Sequence, residues 1–238
     1  MTNKERRELM NASRRMAEVF TKMLKNHPFK SIDLRKPMLT HADPCQVTPV
    51  LDESGQIASY AINPPVRKHP DVMIDIEAYA DTPDSAPAQI ALVFFDRDDP
   101  SLPFTEFLYH PTPISSMRLG MKVTADTLVW WDDKGLGIHP QTGQPITEIL
   151  SEIHKVMDTY AKHGIRAWSR GNSYDLSIMK LLYQRTCMRL PWQFWMERDV
   201  RTWLEGCRYT SPRKNDHHAL RDARNQALDI IEATASLK

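Results

Sequence analysis

Two carboxylates interrupt the apolar run Val72-Met-Ile-Asp75-Ile-Glu77. Alternate side chains of an extended strand share a face, so Asp75 and Glu77 project together while Ile74 and Ile76 enter a core. Acids held side by side repel, and at least one pKa rises unless a cation sits between them. A hard divalent ion with oxygen ligands is the natural cation. A second segment, Ser169-Arg-Gly-Asn-Ser-Tyr-Asp175, follows an apolar stretch. There Asp175 is either a third ligand or a first-turn acid in a helix capped by Asn172 or Ser173. A third segment, His217-His-Ala-Leu-Arg-Asp222, offers a fourth acid and histidine, the side chain suited to take a proton near neutral pH. On a helix His218 and Asp222 stand one turn apart, whereas His217 is offset from that face and freer to reach outward. Each segment alone has a bland reading as solvated acids, a helix cap or surface residues. Together, four acids and a histidine from a strand, a helix start and a late helix make the inventory of a two-metal phosphoryl-transfer site. Two divalent ions ~4 Å apart would activate water and stabilise the leaving oxygen of a phosphodiester. Carboxylates suit Mg²⁺ or Mn²⁺ because both prefer oxygen ligands.

The elements that must position these residues are partly legible. Val72–Ile76, Ile90–Phe95 and Phe104–Tyr109 read as strands, with the acidic turn Asp96-Arg-Asp-Asp-Pro100 before the third. A helix is expected over Ala125–Trp131, and a stronger one from Ile146 to about Lys162, stopping at Gly164. Ile165–Trp168 reads as a short strand. Helices follow over Tyr174–Arg185, over Asp199–Glu205, and from near His217 to Ala233. Strands first and helices interleaved later predict an α/β fold, a mixed β-sheet flanked by helices.

In order and local wording, D-x-E, an aspartate after a strand and then H-x-x-x-x-D resemble the DEDDh branch of the 3′–5′ exonucleases, whose fold is RNase H-like. The stretches Asp126-Thr-Leu-Val-Trp-Trp131, Trp168-Ser-Arg-Gly-Asn-Ser-Tyr-Asp175 and Phe194-Trp-Met-Glu-Arg-Asp-Val-Arg-Thr202 are similar to one subgroup. It comprises phage exonuclease A, exodeoxyribonuclease-VIII-like proteins and related small 3′–5′ exoribonucleases, and the resemblance runs from residue 70 to 236. His217 has the required four residues before Asp222, so the resemblance makes His217 the general base. It implies hydrolysis of single-stranded nucleic acid, DNA or RNA, from the 3′ end to 5′-mononucleotides, with two Mg²⁺ or Mn²⁺ ions. Asp75 would bridge both ions, Glu77 and Asp222 would complete the site of the water-carrying ion, and Asp175 would hold the second. Activity is then expected to fall as pH drops through the ordinary histidine range of about 6.5. The residue after the motif glutamate is commonly threonine, and here it is Ala78; Tyr79-Ala-Asp-Thr-Pro83 replaces a Gly-rich turn. These positions approach the terminal nucleotide in the family, so Ala78 and Tyr79 are candidate substrate contacts, with Asn172, Tyr174 and Trp131. Trp130 and Trp131 are candidates for stacking on a base, at ~1–3 kcal/mol, and at most one of the pair is expected to do so. Arg198 and Asp199 read as an ion pair that fixes a loop. Relatives are often dimers, so a homodimer is an expectation of the resemblance that no sequence feature demands.

Composition bounds the remaining classes. The chain has 238 residues, 41% hydrophobic and 26% charged, enough to bury a core without disulfides or a structural metal. No apolar run approaches the ~18 residues of a membrane span. Cys45, Cys187 and Cys207 are odd in number and widely spaced, which suits reduced thiols in a cytoplasmic setting. The net charge of +1 favours short substrate contact over duplex tracking. Charge is uneven, however: residues 1–30 carry a net +5 and the remainder −4. Leu9, Met10, Met16, Val19, Phe20, Met23 and Leu24 fall largely on one helical face there. Residues 1–30 thus read as a basic amphipathic helix, either docking a protein partner or a phosphate backbone, or lying solvated on the main domain. Residues 31–70 read as a Pro-rich connector, with Gln46–Leu51 and Gln56–Ile62 as a hairpin around Asp52-Glu-Ser-Gly55, and residues 71–238 as the exonuclease domain. The rival reading is a catalytically silent nucleic-acid-binding or partner-recruiting module that keeps the fold. Intact carboxylates argue against it, since such a module needs no metal ligands.

Overall fold

The computed structural model describes residues 47–51, 57–62, 66–134 and 143–237. The helix expected over residues 1–30 lies outside them. Strands β1 (Val47–Leu51) and β2 (Ile57–Ile62) pair antiparallel. The main sheet contains β3 (His69–Ala78), β4 (Pro87–Phe95), β5 (Thr105–Tyr109), β6 (Ala161–Ser169) and β7 (Glu197–Asp199), in the order β5–β4–β3–β6–β7. β5, β4 and β3 run antiparallel to one another, whereas β3, β6 and β7 run parallel. Six helices flank the sheet among the described residues: α1 (Pro113–Arg118), α2 (Ala125–Asp133), α3 (Ile146–Tyr160), α4 (Asp175–Arg185), α5 (Val200–Gly206) and α6 (Ala219–Ala235). The mixed sheet with helices on both faces is the α/β architecture expected from the sequence.

β3 and β4 are buried on both faces, which is why they read as nearly continuous apolar runs. Val72, Ile74, Ile90, Leu92 and Phe94 join one core with Ile149 and Ile153 of α3 and Leu176 and Leu182 of α4. Met73, Ala91, Val93 and Phe95 face the other, formed with Val200 of α5 and Ala219, Ala223, Ala227 and Ile230 of α6. The small side chains along α6 let it lie close to the sheet. By strand alternation Asp75 and Glu77 share the face of Met73, which is the face α6 covers. Register between β3 and β6 is reinforced by Asp71. It is fully buried and accepts from Arg166 Nη2 at 2.6 Å and from Trp168 Nε1 at 2.7 Å.

Two boundaries and one contact differ from the sequence expectation. α3 stops at Tyr160, and Ala161 already pairs with His69 in β6. The register then slips, so that the next pairing is Asp71 with Arg166, and Gly164 takes φ +75° within the bulged stretch. Strand pairing therefore captures the chain before Gly164 can act as a helix stop. α6 begins at Ala219 rather than near His217, because His217 adopts φ +58°, a left-handed conformation that no right-handed helix can include. Arg198 and Asp199 do not pair with each other. Arg198 Nη1 donates to the carbonyls of Trp195 and Glu197, and Asp199 caps α5 by accepting the Thr202 N–H at 2.9 Å.

Candidate functional site

One ligand oxygen from each of Asp75, Glu77 and Asp222 lies within 4.8 Å of the others. β3 supplies the first two side by side, and α6 supplies the third from above. Asp175 stands next to this trio at the first turn of α4. Beyond Met73, β3 has lost its β6 partner, and the Ile76 N–H, between Asp75 and Glu77, favours the ionised form of Asp175. Asp175, Glu77 and Asp222 are buried and Asp75 nearly so.

Such crowding in a poorly solvated place acts against ionisation. Burial pushes the Asp75 carboxyl up to about 7; the Gln226 amide pulls it down and neighbouring Asp222 pushes it further up. Glu77 rises to about 9, through burial and then the charges of Asp75 and Asp222. Burial and the Asp75 charge hold Asp175 well above the usual carboxylate range. Burial also raises Asp222, against the backbone N–H groups that favour its ionised form. Four acids so placed cannot all be charged without a cation among them. An all-oxygen donor set of this kind fits a hard divalent ion.

The histidine segment is shaped around Asp222. Its carboxylate accepts the N–H of Asp216 at 3.2 Å and of His218 at 3.1 Å, so it grips the backbone on both sides of His217. Gln89 of β4, opposite Glu77 in register, accepts the N–H of Ala219 at 3.0 Å. His217 is partly exposed and sits edge-to-face against Trp130, with ring centroids 4.9 Å apart, and against Trp131 at 6.1 Å. A proton acceptor at the rim of a carboxylate cluster is the arrangement needed to deprotonate a water held there.

The other expected substrate contacts have different surroundings. Ala78, Tyr79 and Trp131 are 6%, 1% and 6% exposed. The Trp131 indole N–H donates to the Ala78 carbonyl at 3.2 Å, and the Tyr174 hydroxyl donates to the Ala80 carbonyl. Asn172 accepts from Ser169 Oγ at 3.0 Å. The Trp131 and Tyr174 side chains fasten the turn after Glu77 to α2 and to the start of α4. The half-exposed ring of the tryptophan pair is Trp130, at 36%.

Sequence reasoning missed Gln226, whose Nε2 donates to Asp75 Oδ1 at 2.7 Å, and Gln89. Gln226 lies one helical turn beyond Asp222, on the same face of α6, and that spacing was a usable signal. Arg170 and Arg201 were also missed; their charges favour the ionised forms of Asp75 and Asp175 respectively. None of the helices among the described residues is long and apolar enough to cross a membrane.

Compared with known proteins, residues 70–233 match the family model of the 3′–5′ exoribonuclease Rv2179c-like domain. No curated protein matches the chain. Among solved structures, the chain is similar to the nuclease domain of 3′hExo, a DEDDh family member bound to rAMP. That likeness has 11% identity and a TM-score of 0.48, over 69% of this chain and 91% of that one. It is also similar to cell-death related nuclease 4 (CRN-4), at 12% identity and TM-score 0.44, over 69% of this chain and 63% of that one. A third likeness is to the RNase domain of the yeast Pop2 protein, at 11% identity and TM-score 0.45, over 71% and 78%.

Proposed function

The chain belongs to the Rv2179c-like 3′–5′ exoribonuclease domain family and is a 3′–5′ exonuclease, and from that premise we propose that it trims single-stranded RNA to 5′-mononucleotides by a DEDDh mechanism. The observation that carries this reading is the meeting of Asp75, Glu77 and Asp222 within 4.8 Å, with His217 at the rim. Two divalent cations, Mg²⁺ or Mn²⁺, held by these acids and Asp175, would neutralise the cluster and polarise the scissile phosphate as Lewis acids. His217 takes the proton of the attacking water, its left-handed backbone held on both sides by Asp222. Gln226 favours the ionised, ligating form of Asp75. Trp130, half exposed beside His217, offers a face for the terminal base. Buried Ala78 and Tyr79, with Trp131, Asn172 and Tyr174, act on substrate by shaping the wall on which it rests.

Outside this centre, the net +5 of residues 1–30 supports a docking segment for a protein partner. Its deletion should remove that partner and spare activity on short oligonucleotides. Self-association as a homodimer and a cytoplasmic setting remain part of the proposal.

The test is digestion of matched 5′-labelled single-stranded RNA and DNA with Mn²⁺ or Mg²⁺ or with EDTA, beside Asp75→Ala and His217→Ala. A 3′-to-5′ ladder, faster on RNA, absent in EDTA and lost in both variants, is the expected result. Faster digestion of DNA would reverse the substrate assignment, and no ladder on either would leave a silent nucleic-acid-binding module.

A further inference from the structure

A groove of about 650 Å³ opens far from the carboxylates, between the start of β6, the end of α3 and the loop after α4. Lys68 and Ala161–Ile165 line it at the first residues of the parallel strands β3 and β6, whereas Asp75, Glu77 and Asp175 lie toward or just after the last. His69 and Asp75 are about 20 Å apart along the strand. The register slip in β6 builds the floor: the bulge turns Lys162, His163 and Gly164 out to solvent.

Its chemistry is one-sided. Lys68, Lys162 and Arg189 are exposed cations on its walls, and Asp158 is its one acid. Among the described residues neither Lys68 nor Arg189 enters a salt bridge, and Lys162 reaches only Asp96, at 3.9 Å. Beside these cations stand two large exposed rings, Trp195 at 60% and Phe194 at 69%, packed edge-to-face with centroids 5.0 Å apart. They are held out rather than left loose. Arg198 binds the Trp195 carbonyl at 2.9 Å, while Lys180 and the Trp192 indole clasp Glu197 at 2.9 and 3.2 Å. Rigidly exposed aromatics mark a contact surface. Cations that take phosphates, next to flat faces that stack on any base, are the pairing used to hold single strands without sequence preference. The basic segment 1–30 carries the wrong charge to fill such a groove.

We infer that this groove is a second, non-catalytic binding site for single-stranded nucleic acid, holding the part of the substrate that lies 5′ of the end being cut. The inference rests on the exonuclease reading, because that reading places the 3′ end at the carboxylates.

The test separates the two. Binding of a 5′-dye-labelled single strand of about 16 nucleotides, long enough to reach both places, is measured by anisotropy in EDTA. Turnover of a trinucleotide, confined to the catalytic centre, is measured in Mn²⁺. The variants are Lys162→Glu/Arg189→Glu and Trp195→Ala, all at exposed positions. Expected are a rise in Kd of at least about tenfold for the long strand, a salt slope shallower by about 0.7 per lost phosphate contact, and unchanged trinucleotide turnover. Unchanged long-strand binding, or trinucleotide turnover falling in parallel, overturns the second site. A poly-glutamate peptide competing as strongly as the strand overturns nucleic acid as the occupant. Should the wild type turn over nothing while the variants still weaken long-strand binding, the exonuclease reading falls and the binding site stands.

Discussion

At the scale of single residues, Asp75 depends on what opposes its burial. Its carboxyl is pushed up to about 7 even with the Gln226 amide bonded to it. Gln226→Leu removes that donor, so the carboxyl holds its proton more tightly and a metal ion must displace it. The expected outcome is weaker Mn²⁺ binding by about tenfold, read by calorimetry without substrate, as for other losses of a partner behind a ligand. Unaltered Mn²⁺ affinity would show that Gln226 only fills space. His217→Ala should behave differently, lowering kcat by about 10²–10⁴-fold while Mn²⁺ affinity holds, because in the proposed mechanism His217 moves a proton and carries no ligand oxygen. The D-x-E alternation and the spacing of His217 from Asp222 were readable because both are local. That Gln226 meets Asp75 across 151 positions was not.

Among the elements, the pairing of β3 with β6 sets where Asp175 stands relative to Asp75, and Asp71 secures that pairing. Asp71→Ala leaves the Arg166 guanidinium and the Trp168 indole without their buried acceptor. Since the Arg166 side chain keeps 22% exposure and some hydration, the expected loss is a few kcal/mol (~2–4), measured by urea denaturation. An unchanged midpoint would mean that backbone pairing alone sets the register. The start of α6 is the other sensitive junction. Gln89→Ala orphans the Ala219 N–H, at about 1 kcal/mol, and should lower kcat more than it alters KM because His217 sits two residues upstream.

For the whole molecule, the acid cluster makes metal-free stability depend on pH. Asp75 and Glu77 have folded-state pKa values raised to about 7 and about 9, so the folded protein binds more protons than the unfolded chain above pH ~4. Stability contributed by these groups is therefore present at low pH and lost as pH rises toward 7 to 9. In EDTA the Tm should fall by several degrees between pH 5.5 and 8.5, taking those values as roughly bracketing the titration. Mn²⁺ should restore it, most strongly at the alkaline end, where ligand binding no longer competes with protons. A metal-free Tm that rises over this interval would mean the acids are not crowded together.

The chain's local chemistry was determined before folding: an apolar β3 with two acids on one face, an amphipathic α3 and a histidine separated from an aspartate by four residues. Strand alternation and helical spacing are short-range regularities, fixed by backbone geometry within a few residues. Tertiary structure decided the rest. It chose Ala161 for β6 through pairing with His69, bent His217 left-handed through the N–H groups Asp222 demands on either side, and buried Trp131 while leaving Trp130 half exposed. Each of these outcomes depends on partners remote in sequence, whose hydrogen bonds and burial outweigh local preference. Only the packed molecule brings those partners together.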